Sequence, residues 1–183
     1  MKRIAFILAA LAALGLTACA QKKETKADAK VLVAYFSATG TTEEAARKVA
    51  AATGGTLYEI RPVAAYTAAD LDWNDKGSRS SREMDDPAAR PEIVTDLADA
   101  ATYDVVYLGF PIWWGVAPRV VNTFVEHYAR KGMAVVPFAT SGGSGIGGAV
   151  SALREAYPDV KWQEGKLLNG MSQEEVSEWI KNR

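Results

Sequence analysis

The sequence predicts a doubly wound α/β domain, a parallel sheet with helices on both faces, and three observations lead there. Short apolar runs recur along residues 31–183, the best of them lack the polar alternation of a one-sided sheet, and segments of helical period separate them. Strands buried on both faces and joined through helices run parallel with right-handed crossovers. The first strand is VLVAYF, residues 31–36, and the helix over 42–52 carries Ala45, Ala46, Val49 and Ala50 on one side. TLYEI at 56–60 is the second strand. Residues 61–92 are too polar for core; their middle predicts a solvated helix over Ala68–Met84 that contains the poor helix former Gly77, and Pro87 and Pro91 stiffen the return. DVVYLG at 104–109 is the third strand, and the helix over 117–129 presents Val120, Val121, Phe124, Val125 and Tyr128. MAVVPFA at 133–139 is the fourth, followed by a helix over 147–156, a fifth strand near 160–168 and a last helix over 173–181 striped by Val176, Trp179 and Ile180.

Ahead of this domain the residues serve export. Lys2 and Arg3 precede the apolar run IAFILAALAALGL and then small residues, the pattern of a signal peptide and not of a spanning helix. Leu16-Thr17-Ala18-Cys19 resembles the bacterial lipobox, whose cysteine is lipidated and becomes the new N-terminus. The expected organisation is therefore a signal peptide over 1–19, a tether over 20–30 and one domain over 31–183, held in the cell envelope through the lipid on Cys19 alone. Cys19 is the sole cysteine, so the domain forms no disulfide, thiolate nucleophile or Cys-ligated metal site. The n-region has no twin-arginine pair, which predicts export of an unfolded chain and acquisition of any cofactor outside the cytoplasm.

Over residues 31–183, 15 Lys and Arg face 20 Asp and Glu, a net charge of −5. Nucleic acid, which needs a basic face, is not an expected partner. The single histidine, His127, falls within a predicted helix away from the loops below and reads as a surface or capping residue.

The chemistry sits where the first strand ends. Ser37-Ala38-Thr39-Gly40-Thr41-Thr42 is a hydroxyl-rich loop that opens a helix, whose unpaired N–H groups and dipole favour a phosphate without any basic side chain. A nucleoside triphosphate loop needs Lys-Ser/Thr after its last glycine, whereas Gly40 is followed by Thr41-Thr42-Glu43-Glu44. A phosphomonoester suits it. An ordinary capped helix is equally consistent with these residues, because Thr41 and Glu44 have capping-box spacing.

Two further loops leave predicted strand ends. In Pro111-Ile112-Trp113-Trp114-Gly115 adjacent aromatics face opposite ways, so one indole is expected to pack inward and the other to face a flat ligand, the alternative being a core-filling pair. In Thr140-Ser141-Gly142-Gly143-Ser144-Gly145 missing side chains let the backbone approach a ring edge. Gly143, Gly145 and Gly148 also match GxGxxG, a weak signal without the rest of a dinucleotide-binding unit.

Taken together, AYFSATGTT, GFPIWWGVAP and FATSGGSGIG resemble the short-loop bacterial branch of the flavodoxin family across nearly all of residues 31–183. The resemblance implies a five-stranded sheet in order 2-1-3-4-5 and noncovalent flavin mononucleotide (FMN). It implies that Ser37, Ala38, Thr39, Gly40, Thr41 and Thr42 hold the phosphate and that Pro111, Ile112, Trp113, Trp114 and Gly115 line one side of the ring. Thr140, Ser141, Gly142, Gly143 and Gly145 reach its other edge. Ser144-Gly145-Ile146 lacks the tyrosine that many electron-carrier flavodoxins place there, which leaves the second flavin face open to a substrate or to cover by residues 61–92. The expected function is electron transfer through FMN to a protein partner. The alternatives are an FMN-dependent NAD(P)H reductase with a quinone-like acceptor, and a flavin-free binding lipoprotein. A phosphoacceptor receiver domain is excluded by Tyr35-Phe36-Ser37, which lacks the acidic pair at the first strand's end.

Overall fold

The computed structural model describes residues 29–183; the expected signal peptide, Cys19 and the expected tether up to residue 28 lie outside the described residues. Lys30 is already tied to the domain, its N–H donating to Asp104 (2.8 Å) and its Nζ to Thr102 Oγ1 (2.6 Å).

Strands β1 (Val31–Tyr35), β2 (Thr56–Glu59), β3 (Val105–Pro111) and β4 (Ala134–Thr140) pair in parallel with the short β5 (Lys161–Trp162) and β6 (Lys166–Leu167) in the order 2-1-3-4-5, β6 also pairing with β4. The last strand is split in two, and Pro137 explains the gap. It lies in β4 between Val135, which pairs with Trp162, and Phe138, which pairs with Lys166, and it has no N–H to offer there.

Helices α1 (Thr41–Thr53) and α5 (Gln173–Lys181) cover one face, and α3 (Arg119–Tyr128) and α4 (Ile146–Ala156) the other. Alternation along each strand divides the core accordingly. Leu32, Ala34 and Phe36 point to the α3/α4 side with Leu108, Phe110, Val120, Phe124 and Leu153, while Val33 and Tyr35 join Phe138, Ala46, Val49 and Val176 on the other. Phe36, Phe110 and Phe138 are fully buried, each contributing roughly 1.5–3 kcal/mol of transfer free energy. His127 is exposed in the last turn of α3.

The helix expected over Ala68–Met84 shortens to α2 (Arg79–Asp85). Ahead of it the carboxylates hold turns instead: Asp70 accepts from the N–H and hydroxyl of Thr67 (2.9 and 2.8 Å), Asp72 from Asn74 N–H (3.0 Å) and Asp75 from Gly77 N–H (2.8 Å). Such local bonds compete with the helical ladder. The helix begins where Ser78 caps it, its Oγ accepting from Ser81 N–H (3.2 Å).

With β1 flanked by β2 on one side and β3 on the other, strand order reverses at the β1/β3 boundary. The crevice beyond the carboxyl ends of these strands is where a ligand is expected in such a sheet.

Candidate functional site

Three loops meet at that crevice. The first leaves β1 and enters α1 through Gly40, whose φ of 89° lies in the left-handed region that glycine adopts without penalty. Gly40 N–H donates to Ser37 Oγ (3.1 Å), and the hydroxyls of Thr39 and Thr41 lie 3.5 Å apart. No side chain caps α1. The capping-box alternative for Thr41 and Glu44 is therefore not realised, Glu44 pairing instead with Lys48 (2.8 Å). By contrast, α5 carries a complete box between Ser172 and Glu175. The first-turn N–H groups of α1 thus face the crevice with no protein side chain to accept from them, which suits an anion. Thr42 is buried, and its hydroxyl meets that of Thr140 at 2.8 Å, fastening this loop to the end of β4.

The second loop is a tight turn. Trp113 and Val116 exchange both backbone hydrogen bonds (3.0 Å each), with Trp114 at φ 46° and Gly115 at φ 82° between them. Positive φ at both central residues is the type I′ pattern, in which Asn-Gly is the favoured pair. Trp113 is half-buried and packs edge-on against Phe36 (5.6 Å, 85°) and Tyr66 (5.5 Å, 85°), whereas Trp114 is 52% exposed. One indole is an anchor and the other is presented. Holding a tryptophan at this φ costs about 1 kcal/mol or more. Trp114→Asn is accordingly expected to leave the apoprotein as stable or about 0.5–1 kcal/mol more stable by urea titration, while weakening retention of a flat ligand about tenfold by fluorescence titration.

The third loop is held from within. Ser141 Oγ accepts from the N–H groups of Gly143 (3.1 Å) and Ser144 (2.8 Å), and Asn169 both accepts from Ser141 N–H (2.9 Å) and donates to its carbonyl (2.8 Å). A Cβ at Gly142, Gly143 or Gly145 would meet nothing within 4 Å, so their backbone edges lie open.

The loops enclose two adjoining lobes. One, of about 380 Å³, is lined by Ala38, Thr39, Thr41, Thr42, Pro111, Thr140 and Asn169. The other, of about 620 Å³, is lined by Trp113, Trp114, Gly143, Ser144, Leu71, Trp73 and Ser80. Thr39, Ile112, Trp113, Ser141 and Gly142 border both. The structure thus brings most of the sequence-identified residues to one cavity; Ser37 and Gly40 shape its entrance loop, Gly115 serves the tryptophan turn and Gly145 precedes α4. Among the described residues no group of His, Cys, Asp and Glu forms a metal site.

A match to the flavodoxin family model spans residues 30–183. The chain belongs to the flavodoxin family. Among solved structures, this flavodoxin is similar to a candidate flavoprotein from Bacteroides eggerthii at 56% identity, covering 84% of this chain and 96% of that one with a TM-score of 0.81. A counterpart from Bacteroides uniformis shows 55% identity, 84% and 98% coverage and a TM-score of 0.80. A flavoprotein from Lactobacillus acidophilus, crystallised in complex with FMN, is 24% identical over 83% of this chain and 99% of that one, with a TM-score of 0.66, and shares the fold. No curated protein matches.

The sequence offers residues 61–92 as a cover for the flavodoxin's site but does not single out the side chains that reach it. Leu71, Trp73 and Ser80 reach the larger lobe and Asn169 the smaller one. Tyr66 packs edge-on against Trp113 while its hydroxyl donates to Glu83. Burial, and then the Glu83 carboxylate, pushes this phenol well above its ordinary range, so it remains a donor. Arg79 stacks on the Tyr66 ring (4.0 Å), bonds Glu83 (2.6 Å) and reaches the Ala64 carbonyl (2.7 Å). The aspartate-rich spacing of 67–77, typical of consecutive turns, was the available signal that this segment folds over the site.

Proposed function

We propose that this flavodoxin binds FMN noncovalently and transfers electrons through it on the envelope side of a membrane, anchored by lipid on Cys19. The supporting observation is the uncapped start of α1 opening into a cavity that continues, past Thr39 and Trp113, to an exposed indole. A phosphomonoester fits the N–H groups of the first turn with the hydroxyls of Thr39 and Thr41, and a flat ring fits between Trp113, Trp114 and the Ser141–Ser144 backbone. FMN, when bound, supplies one- and two-electron redox chemistry. The residues' part is to hold the phosphate by neutral donors, seat the ring against the Trp114 face and keep water from one side of it. Gly142 and Gly143 offer backbone groups to the ring edge.

Visible spectra of the purified protein before and after FMN addition test the reading: bound FMN gives a perturbed yellow spectrum with quenched emission, and a colourless protein that takes up none overturns it in favour of the flavin-free lipoprotein. Anchorage has its own readout. Replacing Cys19 with serine is expected to move the protein from the membrane fraction and abolish incorporation of labelled fatty acid.

A second reading, an FMN-dependent reductase for small acceptors, is favoured by the openness of the larger lobe, where Ser144 leaves one face without an aromatic cover. Steady-state turnover with NAD(P)H and a quinone separates the two, because a carrier is reduced only by a protein partner.

A further inference from the structure

Helix α2 carries a carboxylate that lines neither lobe and yet is held from two sides. Glu83 Oε1 accepts from Arg79 Nε (2.6 Å), and Oε2 accepts from the Tyr66 hydroxyl. The Arg79 and Glu83 side chains are only 19% and 14% exposed. The Arg79 guanidinium is engaged at the same place, stacking on the Tyr66 ring (4.0 Å) and donating to the Ala64 carbonyl (2.7 Å). For stability alone an apolar cluster serves as well, because desolvating two charges offsets most of their attraction. A fully satisfied network adds fixed geometry: one ring is held by a carboxylate at its hydroxyl and a cation at its face.

That ring bears on the site. Tyr66 meets Trp113 edge-on (5.5 Å, 85°), and both pack on the fully buried Phe36, at 5.7 and 5.6 Å. Trp113 borders both lobes. Helix α2 is pinned a second time by Arg119, just past the tryptophan turn, which donates to the carbonyls of Glu83 (3.2 Å) and Met84 (3.0 Å). The turns that present Leu71 and Trp73 to the larger lobe are tied to the same helix, Ser80 N–H donating to the Asp70 carbonyl (2.9 Å) and the Ser81 hydroxyl to the Asp75 carbonyl (2.8 Å).

We propose that Glu83 is a positioning residue for the flavin ring: through the Tyr66 hydroxyl it sets the angle at which the Trp113 indole stands in the cavity. The assignment rests on the FMN-binding reading above and names a residue, outside the cavity lining, that governs the ring seat. The phosphate lobe at the start of α1 is built from other elements, so the effect falls on the ring alone.

Fluorescence titrations of Glu83→Gln and Tyr66→Phe with FMN and with riboflavin test it. Each variant is expected to weaken both flavins by the same factor, about fivefold, because a charge-assisted hydrogen bond is lost while the phosphate contacts are untouched. Parent-like flavin affinity in either variant overturns the proposal, and so does a loss confined to FMN. A Trp113→Leu background separates positioning from a general structural role. There Glu83→Gln is expected to change riboflavin affinity by less than about twofold, since the side chain it acts through is gone. An undiminished loss in that background overturns the proposal. Near-UV circular dichroism of the apoproteins gives a reading without any flavin: the difference band between parent and Trp113→Leu is expected to shrink when Glu83→Gln or Tyr66→Phe is present in both, and an unchanged band overturns the assignment. If the parent binds neither flavin, the cofactor reading has failed, while the dichroism still decides whether Glu83 positions Trp113.

Discussion

Thr41→Asp is expected to weaken FMN at least about a hundredfold while leaving riboflavin binding unchanged. Thr41 is the first residue of α1 and lines the smaller lobe. A carboxylate there sits where the phosphate belongs, and each pair of unit charges about 4 Å apart costs roughly 1 kcal/mol even at the dielectric of water. A dianion doubles that, and the lost hydroxyl donor adds about 1 kcal/mol. Together these reach about two powers of ten. The same carboxylate stabilises the helix start by roughly 0.3–1 kcal/mol through the N-terminal dipole. Stability and affinity therefore move in opposite directions, which no general unfolding effect produces. Fluorescence titrations with FMN and with riboflavin, alongside a thermal melt, give the comparison. FMN binding within a few-fold of the parent would show that its phosphate lies elsewhere.

Much of this fold was legible because its signals are local. The strands at 31, 56, 105 and 134 each begin within a residue of expectation, since strands buried on both faces announce themselves as unbroken apolar runs. The phosphate loop and the tryptophan loop were legible for a similar reason: each lies at the carboxyl end of such a run, and the sheet brings those ends together. What was not legible depends on contacts distant in the chain. That Thr42 meets Thr140 requires knowing that β1 and β4 flank β3, and that Asn169 locks Ser141 requires knowing that β6 pairs with β4. The break between β5 and β6 follows from Pro137 in a neighbouring strand, and composition within 160–168 does not reveal it. Residues 61–92 were misjudged for a different reason. Helix propensity over Ala68–Met84 is a sum of weak preferences, and three aspartates that bond their own backbone outweigh it. Trp73 consequently lies on a turn facing the cavity instead of on a solvated helix.

The largest loss of stability is expected from Gly109→Ala. Gly109 lies within β3, paired with Tyr35 of β1 and Phe138 of β4. A Cβ there would stand 2.3 Å from Cζ and 2.4 Å from Cε2 of Phe138, whose ring occupies the space the missing side chain leaves. Phe138 is fully buried and packed with Val33, Val136 and Val176, so the ring has no solvent-side rotamer to escape into. Overpacking of this kind costs about 3 kcal/mol, a large share of the roughly 5–15 kcal/mol that holds a domain together. At roughly 2–4 °C per kcal/mol for a domain of this size, the melting temperature falls by about 10 °C. The double variant Gly109→Ala/Phe138→Leu is expected to recover part of that loss although Phe138→Leu alone is destabilising, a coupling that denaturant titration of all four proteins measures directly. The effect carries into the site, because Phe110 and Pro111 join Gly109 to the Trp113–Val116 turn, and displacing β3 displaces the indole platform. If Gly109→Ala melts within about 2 °C of the parent, the strands accommodate a methyl group, and the close approach of Phe138 is not what demands glycine at this position.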